Sequence, residues 1–229
     1  MKRALIVRGG WEGHSPKEAT DLFIPFLREA GFDVRIEDST KIYVDSEYMS
    51  TTDLIVQSIT MGEITADEFS GLHDAITNGT GFAGWHGGIT FSFPNTAAYV
   101  QMIGGLFVGH PGKSPEKCVG DETDYFVPHT YNFSDLGREH EITGGISDFD
   151  LVTEQYWVVA DPYIQVLATT TQKVRPGDPW TEEITSPAIW TRKWGNGKIF
   201  VITCGHNLEI LLDENVHLIL QRGFLWASR

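Results

Sequence analysis

The sequence predicts an α/β fold built on an open, mostly parallel sheet that is flanked by helices. Over roughly the first ninety residues, short apolar runs alternate with amphipathic helical segments in the order β-α-β-β-α-β. Continuous apolar runs are typical of strands covered on both faces, and their alternation with helices favours right-handed crossovers between parallel strands. Histidine-containing turns rich in glycine follow two of these strands, at the edge where open sheets bind ligands.

The first unit is a buried strand followed by a loop and a helix. Ala4–Val7 ("ALIV") is a continuous apolar run and predicts the strand. After the loop "GGWEGHSP", Ser15–Glu18 has the spacing of a capping box with Pro16 at the first helical position. Gly31 is expected to end the helix, and Pro25 inside the pattern predicts a kink.

Three more strands and a second helix complete this half. Residues 32–37 ("FDVRIE") alternate in polarity, which indicates a strand nearer the sheet edge, whereas residues 53–59 ("DLIVQSI") form another core run. Residues 65–68 ("TADE") are a second capping box, and Asn78-Gly79 closes the helix that it opens. Residues 81–85 ("GFAGW") form the fourth strand, and His86 stands at its end.

The rest of the chain is less regular. Residues 95–102 indicate a short helix, and residues 111–160 contain short β-like pieces that we expect to form a small antiparallel addition, a lid or a dimer interface. Residues 164–170 predict a strand, residues 187–206 a hairpin that turns at Gly-Asn-Gly, and residues 214–227 an amphipathic helix. Because nothing in the sequence looks like a linker, residues 1–229 are expected to form one domain.

Charge and composition exclude several classes of partner. The chain has a formal net charge of −14 at pH 7, which repels phosphate backbones and anionic lipid, so we expect no nucleic-acid or membrane partner. The two cysteines are typical of a reducing compartment. The apolar run near the N-terminus is too short for a signal peptide or a membrane span. The chain is therefore expected to be cytoplasmic, and a homo-oligomer stays open.

Four histidines share a setting that points to a functional pocket. His14, His86, His110 and His206 each stand beside glycine, in the sequences "EGHSP", "WHGG", "GHPG" and "CGHN". Histidine titrates near neutral pH and is a common metal ligand, and glycine lets the backbone approach a ligand closely. We expect His86 and His206 to line one polar pocket. Of the other four histidines, His73 and His217 are interpreted as surface or boundary residues of helices, His129 as a structural residue and His140 as a turn residue.

The turn around His86 has the spacing of a nucleophile elbow, a tight strand-to-helix turn that presents one side chain. No serine or cysteine occupies its tip, and Cys204 is expected to pack against the sheet, so covalent acyl transfer is disfavoured. Two alternatives stay open. One is acid/base chemistry by histidine with a carboxylate, for which Glu154 in "VTEQYW" is the candidate. The other is a divalent metal such as zinc, with the four glycine-flanked histidines as candidate ligands.

The order of several motifs resembles the ThuA-like family, named for trehalose utilisation. The motifs run through nearly the whole chain: "GGWEGH", "GFAGWHGG", "MIGGLFVGHP", "EHEITGGISDFDLVTEQYW", "GNGKIFVITCGH" and "GFLWA". The resemblance implies a flavodoxin-like doubly wound sheet within the class I glutamine amidotransferase-like fold. In those amidotransferases the elbow carries cysteine and a later strand ends in its partner histidine. The matching positions here are His86 and His206, so glutamine hydrolysis is not expected.

The resemblance also implies a substrate, a trehalose-like disaccharide or its keto form. His86, His206 and Glu154 are then the expected catalytic groups, acting next to a carbonyl in isomerisation or cleavage. Gln155 departs from the acidic pair that the family often has there, which weakens a paired-carboxylate mechanism. A non-catalytic sugar-binding or regulatory protein and a metal-dependent hydrolase or isomerase are the alternatives. The expected sugar-binding residues are His14, Trp11, His110, Tyr156 and Gly87, with Trp85 and Trp157 as further aromatic surfaces.

Overall fold

The structure is a computed structural model that describes residues 1–111, 117, 119–120 and 124–229. Most of the predicted strands are present in it, with small changes at their ends. The strands are β1 (Lys2–Gly10), β2 (Phe32–Glu37), β3 (Leu54–Thr60), β4 (Gly81–Trp85), β5 (Gly105–Gly109), β6 (Phe126–Phe133), β7 (Phe149–Glu154), β8 (Trp157–Ala160), β9 (Gln165–Gln172), β10 (Ile184–Trp194) and β11 (Gly197–Ile202).

Helices connect these strands and cover both faces of the sheet that they form. Two 3-10 turns, Glu12–His14 and Thr40–Val44, supplement them. The α-helices are α1 (Pro16–Asp21), α2 (Ile24–Glu29), α3 (Ser46–Ser50), α4 (Ala66–Thr77), α5 (Gly87–Thr90), α6 (Ala97–Ile103), α7 (Asp135–Glu139), α8 (Leu208–Leu211) and α9 (Glu214–Ala227).

The main sheet has nine strands in the order β2-β1-β3-β4-β11-β10-β9-β6-β7. Its first five strands run parallel, and β10, β9, β6 and β7 continue it with antiparallel pairing. A separate pair, β5 and β8, forms a small antiparallel sheet. The predicted α/β class, with a large, mostly parallel sheet flanked by helices and an antiparallel addition, is confirmed.

Alternate residues of the central strands enter opposite faces of the sheet. On β1, Ala4 and Ile6 belong to the apolar cluster under α1, α2 and α9, whereas Leu5 and Val7 belong to the cluster under α4 and α6. Because both faces are buried, the strand reads as an unbroken apolar run rather than an alternating one. Burial on both sides holds the carboxyl ends of these strands in fixed positions.

Two details of the first helix differ from the sequence prediction. Ser15 forms no capping box, because its backbone has φ of 45° as the end of the preceding 3-10 turn and its side chain makes no cap hydrogen bond. An N-cap side chain normally reaches the helix from extended backbone. The helix is also interrupted between Asp21 and Ile24, so that Pro25 lies in the first turn of a second helix, α2.

The connection between β2 and β3 was predicted without a helix, but it contains the 3-10 turn Thr40–Val44 and helix α3. This crossover carries the chain past β1, which lies between β2 and β3 in the sheet. The second capping box is confirmed: the Thr65 side chain accepts from the Glu68 backbone N–H, and the Glu68 carboxylate accepts from the Thr65 backbone N–H. The hairpin is also confirmed, and Gly195 takes φ of 57° at its turn.

The middle region supplies the antiparallel strands. The segment predicted as "DFDLVTEQYWVV" divides into β7 and β8 at Gln155–Tyr156, and the two strands join different sheets. Residues 112–116, 118 and 121–123, on which part of the predicted lid and Cys118 fall, lie outside the described residues. Across the described ranges, every helix is too short or too polar to cross a lipid bilayer.

Candidate functional site

The site is built around the turn that follows β4. His86 occupies this turn with φ of 51° and ψ of −145°, between the end of β4 and the first residue of α5. A residue other than glycine in this region costs on the order of 1–3 kcal/mol, so the surrounding structure must hold it there. The His86 backbone N–H donates to the Ile202 carbonyl of β11 at 2.8 Å, which anchors the turn. The turn thus has the elbow geometry that the glycine spacing predicts.

Four histidines and one glutamate converge at this edge, and we call them the histidine–glutamate cluster: His14, His86, His110, His206 and Glu154. Oxygen Oε2 of Glu154 lies 3.1 Å from His86 Nε2, 3.1 Å from His110 Nε2 and 3.2 Å from His206 Nδ1. The His14 ring centroid lies 4.7 Å from that of His86 and 5.0 Å from that of His206. One carboxylate oxygen therefore faces three imidazoles.

Hydrogen bonds outside the cluster fix two of its rings. Nδ1 of His86 donates to the Thr203 carbonyl at 2.7 Å, which leaves Nε2 as the acceptor in the neutral ring. The Tyr156 hydroxyl donates to that Nε2 at 2.8 Å. Nδ1 of His14 lies 2.9 Å from the Thr60 hydroxyl, so the Nε2 of His14 is left for the cluster.

Burial and neighbouring charges set the protonation of the cluster. His86 is 1% exposed, His206 3% and Glu154 8%. Burial alone raises the pKa of Glu154, but the His110 and His206 imidazoles beside Oε2 outweigh it and hold that pKa well below its usual range. Burial lowers the pKa of His86, and burial together with the neighbouring imidazoles lowers the pKa of His14 to about 2. At neutral pH an ionised carboxylate therefore faces neutral His14 and His86.

A cavity of about 240 Å³ opens beside the cluster. His14, His110, His206 and Glu154 reach its wall, while His86 lies beneath it and does not. Aromatic side chains make up much of the remaining wall, which gives the cavity a polar floor and apolar sides. The complete lining is Trp11, His14, Thr60, Met61, Gly87, Phe91, Phe107, His110, Tyr125, Glu154, Tyr156 and His206.

Most of the residues selected from the sequence meet at this cavity, with three exceptions. His86, which was expected to line the pocket, lies beneath it, and two tryptophans lie elsewhere. Trp85 is buried in the core, and Trp157 packs edge-on against Trp180 instead of facing the cavity. The four histidines that were not assigned to the pocket lie outside the cluster. His217, for example, donates from Nδ1 to the Leu211 carbonyl.

Sequence reasoning missed five of the lining residues. Two of them follow from the topology, because Thr60 ends β3 and Met61 comes next, at the same edge as His86. The other three come from segments whose arrangement only the folded chain gives: Phe91, Phe107 and Tyr125.

Cys204 is the one cysteine among the described residues, and it does not reach the cavity wall. Cys204 is fully buried, and burial raises the pKa of its thiol to about 12. A thiol becomes a nucleophile only as the thiolate, so this cysteine is inert in the folded protein.

Comparison with known proteins identifies the family. The family model described as "ThuA: Trehalose utilisation" matches residues 3–227. The chain belongs to the ThuA family. A ThuA-like protein from Bacteroides uniformis shares 20% identity with this ThuA chain at a TM-score of 0.75, over 99% of this chain and 91% of that one. A cytoplasmic protein from Salmonella typhimurium shares 16% identity at a TM-score of 0.64, over the whole of both chains.

Family membership confirms the resemblance that the sequence motifs carry, and trehalose utilisation indicates a role in sugar metabolism. At these identities the solved structures show that the ThuA chain shares their fold. No curated protein matches the chain. The chemistry must therefore be argued from the residues of the site.

Proposed function

We propose that this ThuA-family protein is an enzyme that moves a proton at the carbon beside the carbonyl of a keto sugar, derived from a trehalose-like disaccharide. Isomerisation and cleavage of such a sugar both begin with this step, because the carbonyl takes up the electron pair that the C–H bond leaves. The observation that carries the proposal is a set of imidazoles around one ionised carboxylate, on the floor of an aromatic-walled cavity.

The cavity fits a single sugar ring better than a larger ligand. Its volume of about 240 Å³ is below the range of pockets that enclose drug-sized molecules. A pyranose has apolar C–H faces and a polar rim of hydroxyls. Trp11, which is 47% exposed at the mouth, and Phe107 and Tyr125 on the wall offer flat surfaces to those faces. The hydroxyls and the carbonyl can then meet the polar floor.

We assign the role of base to His110. Among the imidazoles on the cavity wall, the His110 side chain is 19% exposed, against 4% for His206. His14 is a poor base, because its pKa of about 2 leaves little affinity for a proton. The His110 ring stacks on Tyr125 at 4.3 Å between centroids, and Glu154 Oε2 lies 3.1 Å from its Nε2 to stabilise the imidazolium that forms.

The electron pair of the C–H bond moves onto the carbonyl oxygen and gives an enediolate, which needs a hydrogen-bond donor. Tyr156 supports this role once its single hydroxyl hydrogen turns from Nε2 of His86 to the enediolate oxygen. Burial raises the pKa of this hydroxyl well above the usual range, so the group keeps its proton. His110 then returns the proton to the same carbon, which restores the ketone and exchanges its hydrogen with solvent. For isomerisation, the hydroxyl proton of that carbon first moves to the enediolate oxygen, and His110 protonates the former carbonyl carbon. These roles differ from those expected from the sequence: His86 positions Tyr156 from below the cavity instead of meeting the sugar.

This chemistry replaces that of the amidotransferases. The elbow presents His86 where those enzymes have cysteine, and the buried Cys204 cannot substitute for it. We therefore propose no glutamine hydrolysis for the chain.

The proposal is tested by incubating the protein with trehalose, its 3-keto derivative and related keto disaccharides in deuterated buffer. We expect NMR to show deuterium entering beside the carbonyl of a keto sugar but not into trehalose. The variant His110→Ala should lower the exchange rate by about 100-fold or more, because a positioned base contributes about that much. His73→Ala, a histidine on α4 away from the cavity, is the matched control. Sugar binding without exchange, or equal exchange by both variants, would show that the assignment is wrong.

A further inference from the structure

We propose that His14, His86, His206 and Glu154 form a binding site for one divalent transition-metal ion such as zinc. Each residue offers one donor atom, and the four donor atoms all lie within 4.8 Å of one another. They come from four separate segments that meet at the carboxyl edge of the sheet. The inference concerns the ion alone and does not depend on the proposed sugar chemistry.

Two of the distances between donor atoms are those of atoms that share one ion. His86 Nε2 and His206 Nδ1 lie 3.1 Å and 3.2 Å from Glu154 Oε2. Donors placed about 2.0–2.2 Å from a zinc ion are separated by about 3.3 Å at tetrahedral angles and by about 2.9 Å at octahedral angles. Both observed separations fall between these two values. The other donor pairs, all within 4.8 Å, must draw closer for the four atoms to share one ion.

One buried nitrogen among the four donor atoms, Nδ1 of His206, makes no hydrogen bond to the described residues. His206 is 3% exposed, and its Nδ1 has no hydrogen-bond partner among the described residues although it lies 3.2 Å from a carboxylate oxygen. An unsatisfied buried polar atom costs about 1–3 kcal/mol, and native structures rarely keep one without a reason. A cation between Nδ1 and Oε2 satisfies both atoms at once.

The outer contacts of the rings are those of metal-bound histidines. Such histidines usually donate the second ring N–H to a carbonyl or another oxygen, which fixes the tautomer and aims the free nitrogen at the ion. Nδ1 of His86 donates to the Thr203 carbonyl, and Nδ1 of His14 meets the Thr60 hydroxyl. Tyr156 also donates to Nε2 of His86, so ion binding requires its hydroxyl hydrogen to turn toward another acceptor.

The donor types select the kind of ion. Three imidazoles and one carboxylate suit zinc, iron, nickel or copper, whereas magnesium and calcium prefer oxygen donors. His14, His206 and Glu154 also line the cavity, which gives the ion a path in and a side open to a ligand. His110 contacts Glu154 but lies outside the four-donor set, so it stays free for proton transfer. A bound ion would supply a positive charge that polarises a carbonyl oxygen.

The test measures zinc binding directly. The full chain, without a histidine tag and stripped with a chelator, is titrated with zinc by calorimetry and with cobalt(II) by absorption spectroscopy. We expect one saturable site and a cobalt spectrum of mixed nitrogen and oxygen ligation. His14→Ala, which removes a donor from a partly buried turn, should weaken zinc binding by more than about 100-fold, beyond the loss that outer-contact changes cause.

Three further variants make the result decisive. His206→Asn tests the buried donor, with circular dichroism to establish folding, and should lose zinc as His14→Ala does. His73→Ala keeps the four donors and their contacts and should bind zinc as the unchanged protein does. His110→Ala removes an outer contact of Glu154 and should weaken zinc binding by less than His14→Ala does. The absence of a saturable site, or equal affinity in His14→Ala, would overturn the inference.

Failure of this inference can be told apart from failure of the proposed function. If the unchanged protein binds zinc and the donor variants do not, the metal site is supported, even when no keto sugar exchanges deuterium. If chelator-treated protein exchanges deuterium but shows no zinc binding, the metal site is wrong and the proposed proton transfer stands.

Discussion

At Gly87, one added methyl group should weaken zinc binding while it leaves the free energy of unfolding nearly unchanged. An ideal Cβ at residue 87 would lie 2.9 Å from Cε1 of His14 and 3.0 Å from Cγ2 of Thr60. Ordinary contacts begin at 3.4 Å, so Gly87→Ala must push the His14 ring away by about 0.5 Å. The same substitution also displaces Thr60, the hydrogen-bond partner of His14, so His14 and Thr60 cannot both keep their present positions.

This displacement should change the free energy of unfolding little but the geometry of the zinc site considerably. Overpacking costs about 1–3 kcal/mol in a rigid core, but His14 lies on a partly buried turn that can yield. Alanine also lowers the conformational entropy of the unfolded chain relative to glycine, which recovers about 0.4–1 kcal/mol. We therefore expect the free energy of unfolding of the metal-free protein to change by about 1 kcal/mol or less. Metal–ligand distances tolerate only about 0.2 Å, so zinc affinity should fall at least about 10-fold.

The assay pairs zinc calorimetry with urea unfolding of chelator-treated protein. Gly109→Ala is the matched control, because a Cβ at Gly109 meets nothing within 4 Å. We expect the control to keep the zinc affinity of the unchanged protein. Unchanged affinity in Gly87→Ala would refute the reasoning, since His14 would then bind from a displaced position or take no part. A loss of several kcal/mol in stability would refute the claim that the His14 turn yields.

Three further predictions follow from groups already described. Acid should destabilise the metal-free protein below about pH 6.5. Burial lowers the pKa of His86 and His14, so the unfolded chain takes up more protons than the folded one. Each ring should lower the free energy of unfolding by about 1.4 kcal/mol per pH unit, and urea unfolding at pH 7.5 and 5.5 measures the change. Thr65→Ala should cost about 1 kcal/mol in urea unfolding, because it leaves the Glu68 backbone N–H without its cap. Cys204 should resist iodoacetamide at neutral pH until the protein unfolds, because burial raises the pKa of its thiol to about 12; peptide mass spectrometry measures the labelling.

Each of these predictions has its own contrary result. Stability that stays level between pH 7.5 and 5.5 would mean that the buried imidazoles hold protons in the folded state. A Thr65→Ala variant as stable as the unchanged protein would mean that the cap adds nothing. Alkylation of Cys204 as fast in the folded protein as in urea would mean that the thiol is accessible.

Much of the site was predictable because parallel strands share an edge. The apolar runs of β1, β3 and β4 predict buried parallel strands, and their carboxyl ends must then meet. His86 ends β4, and His206 follows β11, which pairs with β4 in parallel. Glycine beside each histidine marks the turns. These features suffice to bring the two histidines to one place without knowledge of the rest of the fold.

What the sequence could not give depends on long-range register and on burial. Glu154 reaches the cluster at the end of β7, whose place beside β6 depends on antiparallel pairings between distant segments. The depth of His86 beneath the cavity follows from the packing of Tyr156 over it, with ring centroids 4.4 Å apart. Residues 15–18 match the sequence pattern of a capping box, but the preceding 3-10 turn places the Ser15 backbone in the left-handed region.

The location of Glu154 bears on how the protein would lose the proposed activity. The carboxylate that faces three imidazoles ends β7, the outermost strand of the main sheet, which in the described part of the chain pairs with β6 alone. Peripheral strands open with a smaller free energy than the whole fold, often as a separate cooperative unit. A brief detachment of this strand would dismantle the cluster while the parallel core stays intact. Inactivation by mild heat or denaturant would then precede unfolding, and amide exchange along β7 would report the lifetime of the working site.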